Sequence, residues 1–486
     1  MLRRSMPFSD TTQWSAPALL LVLFTAGPVC GQNVPPSPER AWYSSSSRQV
    51  ANDAKHIAGP GYAIDPDQTY SLAQLIDLAE AHNPETRVAW ERARAQLAAW
   101  GIARSELYPT LAAVALAQIE RYEVLFGTRF YRQTLLTFQA ALDLNYTVFD
   151  FGARAGRIEA AKAESLAVNF AFNDTHRRVI YEVEQAYYRL QNAAGQEDAA
   201  LASLANAQTV QQAAEDRLQQ GLATLPDVLE ARSETAQARY NLQVVLGLEA
   251  IARGDLATAL AVPPTSKIRI PPVYQASLPD SIAETADQAI TRAFEQRPDL
   301  MQELAEIRTE NANIKQARAL FYPSLNVGGG PAAQSLNGWQ QTLPGGRTAN
   351  LTGQIHFNLS WTVFDGGGRR NALERAEADL RATEAQVAVT RDRIANQIWT
   401  AYSDLKTALA ERQSAIALLD AASQSYAAAL ESYKYGVRNL LDVTNAQRVL
   451  AQARSTDVTA RTQVLAALAE LAFAAGDLIQ PGAKRP

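Results

Sequence analysis

A single cysteine, Cys30, stands among 486 residues, so no disulfide can close within the chain and no thiolate metal cluster can be built. Histidine is almost as scarce. His56, His82, His176 and His356 are the whole set, and no two are spaced as a metal pair on one helix turn. The chain has no P-loop, no nucleotide-binding glycine fingerprint and no Gly-x-Ser-x-Gly elbow. Nothing pairs a nucleophile with a base, so the expectation is a non-enzyme without metal or cofactor. Charge of one sign is missing too. The 45 Lys and Arg against 50 Asp and Glu leave a net charge of -5, neither a nucleic-acid footprint nor an acidic tail. After the N-terminus no run of 18 consecutive apolar residues occurs, so no membrane-spanning helix is expected.

Glycine and proline gather in a few places, and the long Ala/Glu/Gln/Arg/Leu stretches between them favour helix. Arg3 and Arg4 followed by the apolar run Ala16 to Ala26 read as an export signal, too short to span a bilayer as a helix. Cleavage is expected after Gly31. Acylation of Cys30 is the rival reading, against which Val29 stands where a lipobox has a small residue. Residues 32–70, with Pro35-Pro36, Ser44 to Ser47 and Gly59-Pro60-Gly61, read as a tail or linker.

Length alone suggests about three domains, but the chain is a duplication. Asn83-Pro84-Glu85 answers Arg297-Pro298-Asp299, and Leu107-Tyr108-Pro109 answers Phe321-Tyr322-Pro323, both 214 residues on. Phe149-Asp150-Phe151-Gly152 answers Phe364-Asp365-Gly366-Gly367, and Gly221 with Leu225 and Asp227 answers Gly436 with Leu440 and Asp442, both 215 residues on. The expected plan is a signal (1–31), a tail (32–70), repeat one (71–261), a proline-rich connector (262–280), repeat two (281–477) and a short end (478–486).

Each repeat reads as a helix of about 33 residues ending at Tyr-Pro, a β-hairpin, a helix of nearly 70 residues, a short break and a return helix of about 35. In the hairpins Leu136, Phe138, Ala140, Leu142, Leu144, Tyr146 and Val148 alternate with more polar residues, as do Ile355, Phe357, Leu359, Trp361 and Val363. Period two puts each set on one face, as in a transmembrane strand of about 9–11 residues. A half-buried strand of a soluble sheet alternates in the same way. Four strands have no second sheet to pack on and cannot close a barrel alone, whereas three chains would supply twelve. A 70-residue helix is about 100 Å long, fit for the wall of a tube or for a coiled-coil rod. The aromatics Tyr146, Phe149, Trp361 and Phe364 gather near one strand end, as an interfacial girdle would.

The order, spacing and repetition of Leu107-Tyr108-Pro109, Phe149-Asp150-Phe151-Gly152, Phe321-Tyr322-Pro323, Phe364-Asp365-Gly366-Gly367 and the two Gly-x-x-x-Leu-x-Asp turns resemble the TolC-like outer-membrane factor family, from about Ser71 to Asp477. That resemblance implies a mainly α chain with a membrane β-barrel part: a homotrimer whose twelve-stranded barrel continues as an α-helical barrel across the periplasm. It implies an outer-membrane channel of a tripartite efflux or type I secretion system, joined through a periplasmic adaptor to an inner-membrane transporter, with no nucleic acid. The alternative is a periplasmic coiled-coil structural or adaptor protein that never spans the membrane.

The resemblance also implies a periplasmic gate at the helical tips. The matching positions are Tyr433, Arg438 and Asp442, with Asp227 as their partner in the first-repeat turn. Asn445 stands where the family often has a second acid, and Pro226 replaces a residue able to donate a backbone bond. An Arg–carboxylate pair would hold the tips, and three Asp442 carboxylates would favour cations. The plainer reading makes Gly221 and Gly436 helix C-caps, with Asp227 and Asp442 complementing a helix dipole. Asp150 and Asp365 are expected N-caps of the long helices, and Tyr108-Pro109 and Tyr322-Pro323 are expected junctions at the membrane interface.

Overall fold

The computed structural model describes residue 39, residues 45–54 and, apart from positions 63, 276, 277, 280, 283, 341 and 342, residues 62–478. The expected signal segment, Cys30 and the residues after Leu478 lie outside the described residues. Helix α1 (Ser45–Ala54), within the expected tail, belongs to a separate unit, Met1–Gly59, and is described by itself.

In the second unit, repeat one runs α2 (Leu72–His82), α3 (Pro84–Ser105), β1 (Thr110–Phe126), β2 (Arg129–Phe149), α4 (Ala153–Gln219) and α5 (Leu225–Ala259). Repeat two runs α6 (Ala286–Gln296), α7 (Pro298–Ala319), β3 (Ser324–Gln340), β4 (Leu343–Ser360), α8 (Gly368–Lys434) and α9 (Leu440–Ala475). The expected 33-residue first helix is two helices. Pro84 and Pro298 cannot donate a backbone bond, and the residue before each, Asn83 or Arg297, turns to extended backbone, ending one helix and starting the next. The second helix of each pair stops short of Tyr-Pro, at Ser105 and Ala319, and a three-residue turn completes the passage.

The 67-residue α4 and α8 pair with α5 and α9 as two antiparallel hairpins. Along α8 the buried residues Ile394, Ile398, Ala401, Leu405 and Ala408 recur at three- and four-residue steps, and Ala408, Ala415, Ala422 and Ala429 at seven. That is a coiled-coil seam with alanine knobs, which lets partner helices come close. At Gly156 of α4 a Cβ would lie 2.9 Å from the Gln316 backbone nitrogen of α7, so only glycine fits that crossing. α9 is long and apolar enough to be a candidate membrane span, which the search for apolar runs missed; half of its apolar stretch is buried among the chain's own helices, making it a core helix.

The expected tail and connector are not passive. Tyr62, Ile64 and Tyr70 pack with Leu256, Leu260, Val262 and Ile268. Thr69 bridges Arg269 in parallel, and the Tyr70 N–H donates to the Arg269 carbonyl at 2.9 Å.

The four strands form one antiparallel sheet in the order β1-β2-β3-β4, leaving β1 and β4 as edges. Strands of 17 to 21 residues exceed the expected 9–11. The register explains the excess. Leu111, Ala113, Ala115, Ala117 and Ile119 lie opposite Leu144, Leu142, Ala140, Phe138 and Leu136. On the same face, Arg121 then meets Thr134 and Glu123 meets Arg132. The apolar band is thus nine residues of a longer strand, about 30 Å along its axis. It continues across β3 and β4 through Ala333 opposite Leu351, Val327 opposite Phe357 and Leu325 opposite Leu359. The other face carries Asn145, Asp143, Gln139 and Thr137 on β2 and Asn358, His356, Gln354 and Thr352 on β4.

Candidate functional site

The helical tips lie where α4 turns into α5 and where α8 turns into α9. In the first, Gly221 takes φ +73°, the Leu222 N–H donates to the Arg217 carbonyl at 2.8 Å and the Gly221 N–H to Leu218 at 3.0 Å. In the second, Gly436 takes φ +74°, Val437 donates to the Ser432 carbonyl at 2.8 Å and Gly436 to Tyr433 at 2.9 Å. Both are left-handed helix stops that satisfy last-turn carbonyls, and a Cβ would strain either.

The turns differ in how the return helix begins. Asp227 accepts from both the Thr224 N–H (2.8 Å) and the Thr224 hydroxyl (2.7 Å) in a capping box. Its carboxylate is therefore held in its own turn, and no bond joins it to Arg438 or Tyr433, contrary to the expected partnership. In the second turn Asn439 does the capping, accepting from the Asp442 N–H at 3.0 Å. Among the described residues, the side chains of Asp442 and Arg438 have no hydrogen-bond or ion partner within the chain. Asn445 is exposed and its carbonyl faces Arg448 at 3.4 Å.

Tyr433 is not at an aperture. It is 3 % exposed, in a core with Val210, Ala214 and Val228 of the first hairpin and Leu440 and Val443 of its own. Burial pushes its phenol up, the charge of Arg217 pulls it down and that of Asp227 pushes it further up. Over its ring, 4.7 Å from the centroid, lies the guanidinium of Arg217. Arg217 also donates to the carbonyls of Tyr433 and Lys434 and, at 3.2 Å, of Leu222. Sequence reasoning missed Arg217; its one visible sign was a cation four residues before the turn glycine, where helix-end cations are common.

At the far end of the hairpins, Gly152 and Gly367, not the expected aspartates, hold the cap positions of α4 and α8, with left-handed backbone. Asp150 reaches in from two residues earlier, accepting from the Gly152 N–H at 3.3 Å and the Arg154 N–H at 2.8 Å. Asp365 does the same with Gly367 (3.1 Å) and Arg369 (2.9 Å). Pro109 and Pro323 directly precede β1 and β3. Tyr108 is exposed, whereas Tyr322 stacks on Phe151 at 4.9 Å, and Phe151 meets Phe149 edge-on at 4.6 Å. The Trp361 indole N–H donates to the Phe321 carbonyl at 3.2 Å, so these aromatics form one belt at the strand-to-helix passage.

The sheet is inside out for a soluble protein. Its apolar face is open, with Leu351 81 % and Ile355 79 % exposed, while Thr137 on the polar face is 9 % exposed. Lipid outside and water inside is the arrangement that suits such a sheet.

Residues 75–262 and 289–477 match the family model described as outer membrane efflux protein. Protein CyaE of Bordetella pertussis is 28% identical over 408 residues, 84% of this chain and 84% of that protein. Outer membrane protein OprJ of Pseudomonas aeruginosa is 24% identical over 439 residues, 90% of this chain and 89% of its own. Among solved structures, the fold is similar to a membrane protein from Pseudomonas aeruginosa at TM-score 0.73 and 24% identity, covering 86% of this chain and 97% of that one. It is also similar to CusC at TM-score 0.69 and 20% identity, covering 86% and 96%. Repeat, tips, inverted sheet and family match agree: the chain belongs to the outer membrane efflux protein family, the TolC-like transport channels of the outer membrane.

Proposed function

We propose that three copies of this chain form one duct, the outer-membrane component of a tripartite efflux or secretion system, receiving cargo from an inner-membrane transporter through a periplasmic adaptor. One observation carries the reading: an apolar face continuous across four strands whose two outer edges, β1 and β4, are unpaired. An unpaired edge is not viable in lipid, and three sheets joined edge to edge give twelve strands with none left open. Large apolar residues left exposed on the helices, such as Tyr240, Ile251 and Trp399, support burial against further copies. The long hairpins, about 100 Å each, then line the periplasmic tunnel.

The entrance is the ring of helical tips. Arg438 and Asp442, unengaged inside the chain, are the side chains available to meet a neighbouring copy and to set the charge of the opening. Planar-bilayer conductance of the purified protein, with Asp442→Ala and Arg438→Ala beside wild type, tests both parts. Small cation-selective conductance that rises in the variants is the expected result. Conductance unchanged by both would place the constriction elsewhere, and soluble elongated particles that never insert would sink the duct in favour of a periplasmic rod.

A further inference from the structure

The two tips of one chain are tied together by contacts that do not obey the chain's own repeat. Arg217, in the last turn of α4, leaves its hairpin to donate to carbonyls at the end of α8 and lies over the Tyr433 ring. Last-turn carbonyls have no partner inside their helix, and a planar guanidinium with five donors can serve several at once. Arg448 of α9 makes the second tie, to Glu234 of α5. Moving 215 residues along the repeat, Arg217 becomes Ser432, and the Tyr433 it covers is answered by Leu218. Arg448 is answered by Ser233 and Glu234 by Val449. Neither tie has a twin.

In a closed ring of three chains, the reading on which this inference rests, six tips alternate and meet at two kinds of seam. One seam lies between the two tips of a chain. The other lies between the second tip of one chain and the first tip of the next. Duplication gives both seams one backbone scheme, and the side chains make them unlike. The seam within a chain has Arg217, the Glu234–Arg448 pair and a shared core that includes Val228 and Leu440. The equivalent seam between chains sets Ser432 opposite Leu218 and Val449 opposite Ser233, with no ion pair at either place. We propose that the two tips of each chain move as one rigid body, positioned by Arg217, and that the entrance opens at the seams between chains.

Two cysteine pairs, compared oxidised and reduced in planar bilayers, test this. Glu234→Cys with Arg448→Cys bridges the seam within a chain. Ser233→Cys with Val449→Cys bridges the equivalent seam between chains. The first bridge, which stays monomeric on a denaturing gel, is expected to leave opening unchanged. The second, which yields a covalent trimer, is expected to cut opening about tenfold or more and to be reversed by reductant. A within-chain bridge that blocks opening, a between-chain bridge that leaves it free, or intact channels in which the second pair never bridges would each overturn the proposal. Arg217→Ala is expected to add intermediate conductance levels as the tips move separately, and Arg217→Lys, which keeps a donor, to restore the wild-type pattern. Lower yield without new levels in Arg217→Ala would reduce Arg217 to a packing residue. Failure of wild type to form trimers or channels would sink the duct itself.

Discussion

Arg177 and Arg297 are 3 % and 2 % exposed, an unusual depth for guanidinium groups. Each donates to a carbonyl in the last turn of α9: Arg177 to Phe473 at 2.9 Å and Arg297 to Ala474 at 3.0 Å. Asp174 pairs with Arg177 at 2.6 Å and Asp299 with Arg297 at 2.7 Å. The helix end is thus capped by two buried cations, and each cation by a carboxylate. Burial pushes Asp299 up, but the hydrogen bonds and charge of Arg297, with the charge of Arg177 and the Leu300 N–H, outweigh it and hold the carboxyl below its usual value. A depressed carboxyl contributes stability above its unfolded value of about 3.9, lost as pH falls through the lower folded value. Heat stability of the detergent-solubilised protein should therefore drop below about pH 4, and Asp299→Asn should flatten that drop. Arg297→Ala, which leaves Asp299 buried and alone, should cost about 3–5 kcal/mol at neutral pH. Thermal unfolding of the two variants across pH checks both.

Glu184, also in α4, works in the opposite sense. Burial pushes its carboxyl up to about 7, and one of its oxygens has no hydrogen-bond partner among the described residues. A raised acid disfavours the folded state once the unfolded chain ionises, so its penalty grows from about pH 4 and is complete above about pH 7. Glu184→Gln should stabilise at pH 8 by on the order of 2–3 kcal/mol and change little at pH 4. No gain at pH 8 would mean that the buried carboxylate has a partner in the assembled protein.

For the elements, the test is which side of the sheet meets lipid. Ile355→Arg puts a charge on the apolar face, expected to cost about 2–4 kcal/mol at mid-bilayer. Gln354→Arg, one residue away on the polar face, should be tolerated. Recovery of folded, heat-modifiable protein from the membrane fraction separates the two, and equal recovery would remove the lipid-facing assignment. This alternation was legible on β2 and β4 because each has one clean apolar face. It was illegible on β1, where Val114 and Leu116 sit on the opposite face to Leu111 and Ile119, and on β3, where Gly328, Gly329 and Gly330 have no side chains to alternate. The helical breaks at Pro84 and Pro298 could have been read from proline chemistry but were hidden by an otherwise continuous helical pattern. The duplication, the long helices and the turn glycines were legible because each rests on local spacing. Arg217 was not, since its role depends on carbonyls more than 200 residues away that only the folded hairpins bring near.

At the scale of the whole molecule, closure decides everything else. A four-stranded sheet with an open apolar face cannot rest in water, and with two open edges it cannot rest in lipid. Both difficulties vanish only if β1 of one chain pairs with β4 of the next. Ala113→Cys on β1, combined in turn with Leu351→Cys, Gly353→Cys and Ile355→Cys on β4, samples neighbouring registers and both faces of that joint. Covalent trimers should form strongly for one β4 position and weakly for the others, since antiparallel pairing fixes one register. Their yield should not change on dilution in detergent, as it would for random collisions. Cross-linking that is equal at all three positions would point to loose aggregation. None at all, in a preparation that still conducts, would mean that the barrel closes without a β1–β4 joint, and the twelve-stranded count would fall with it.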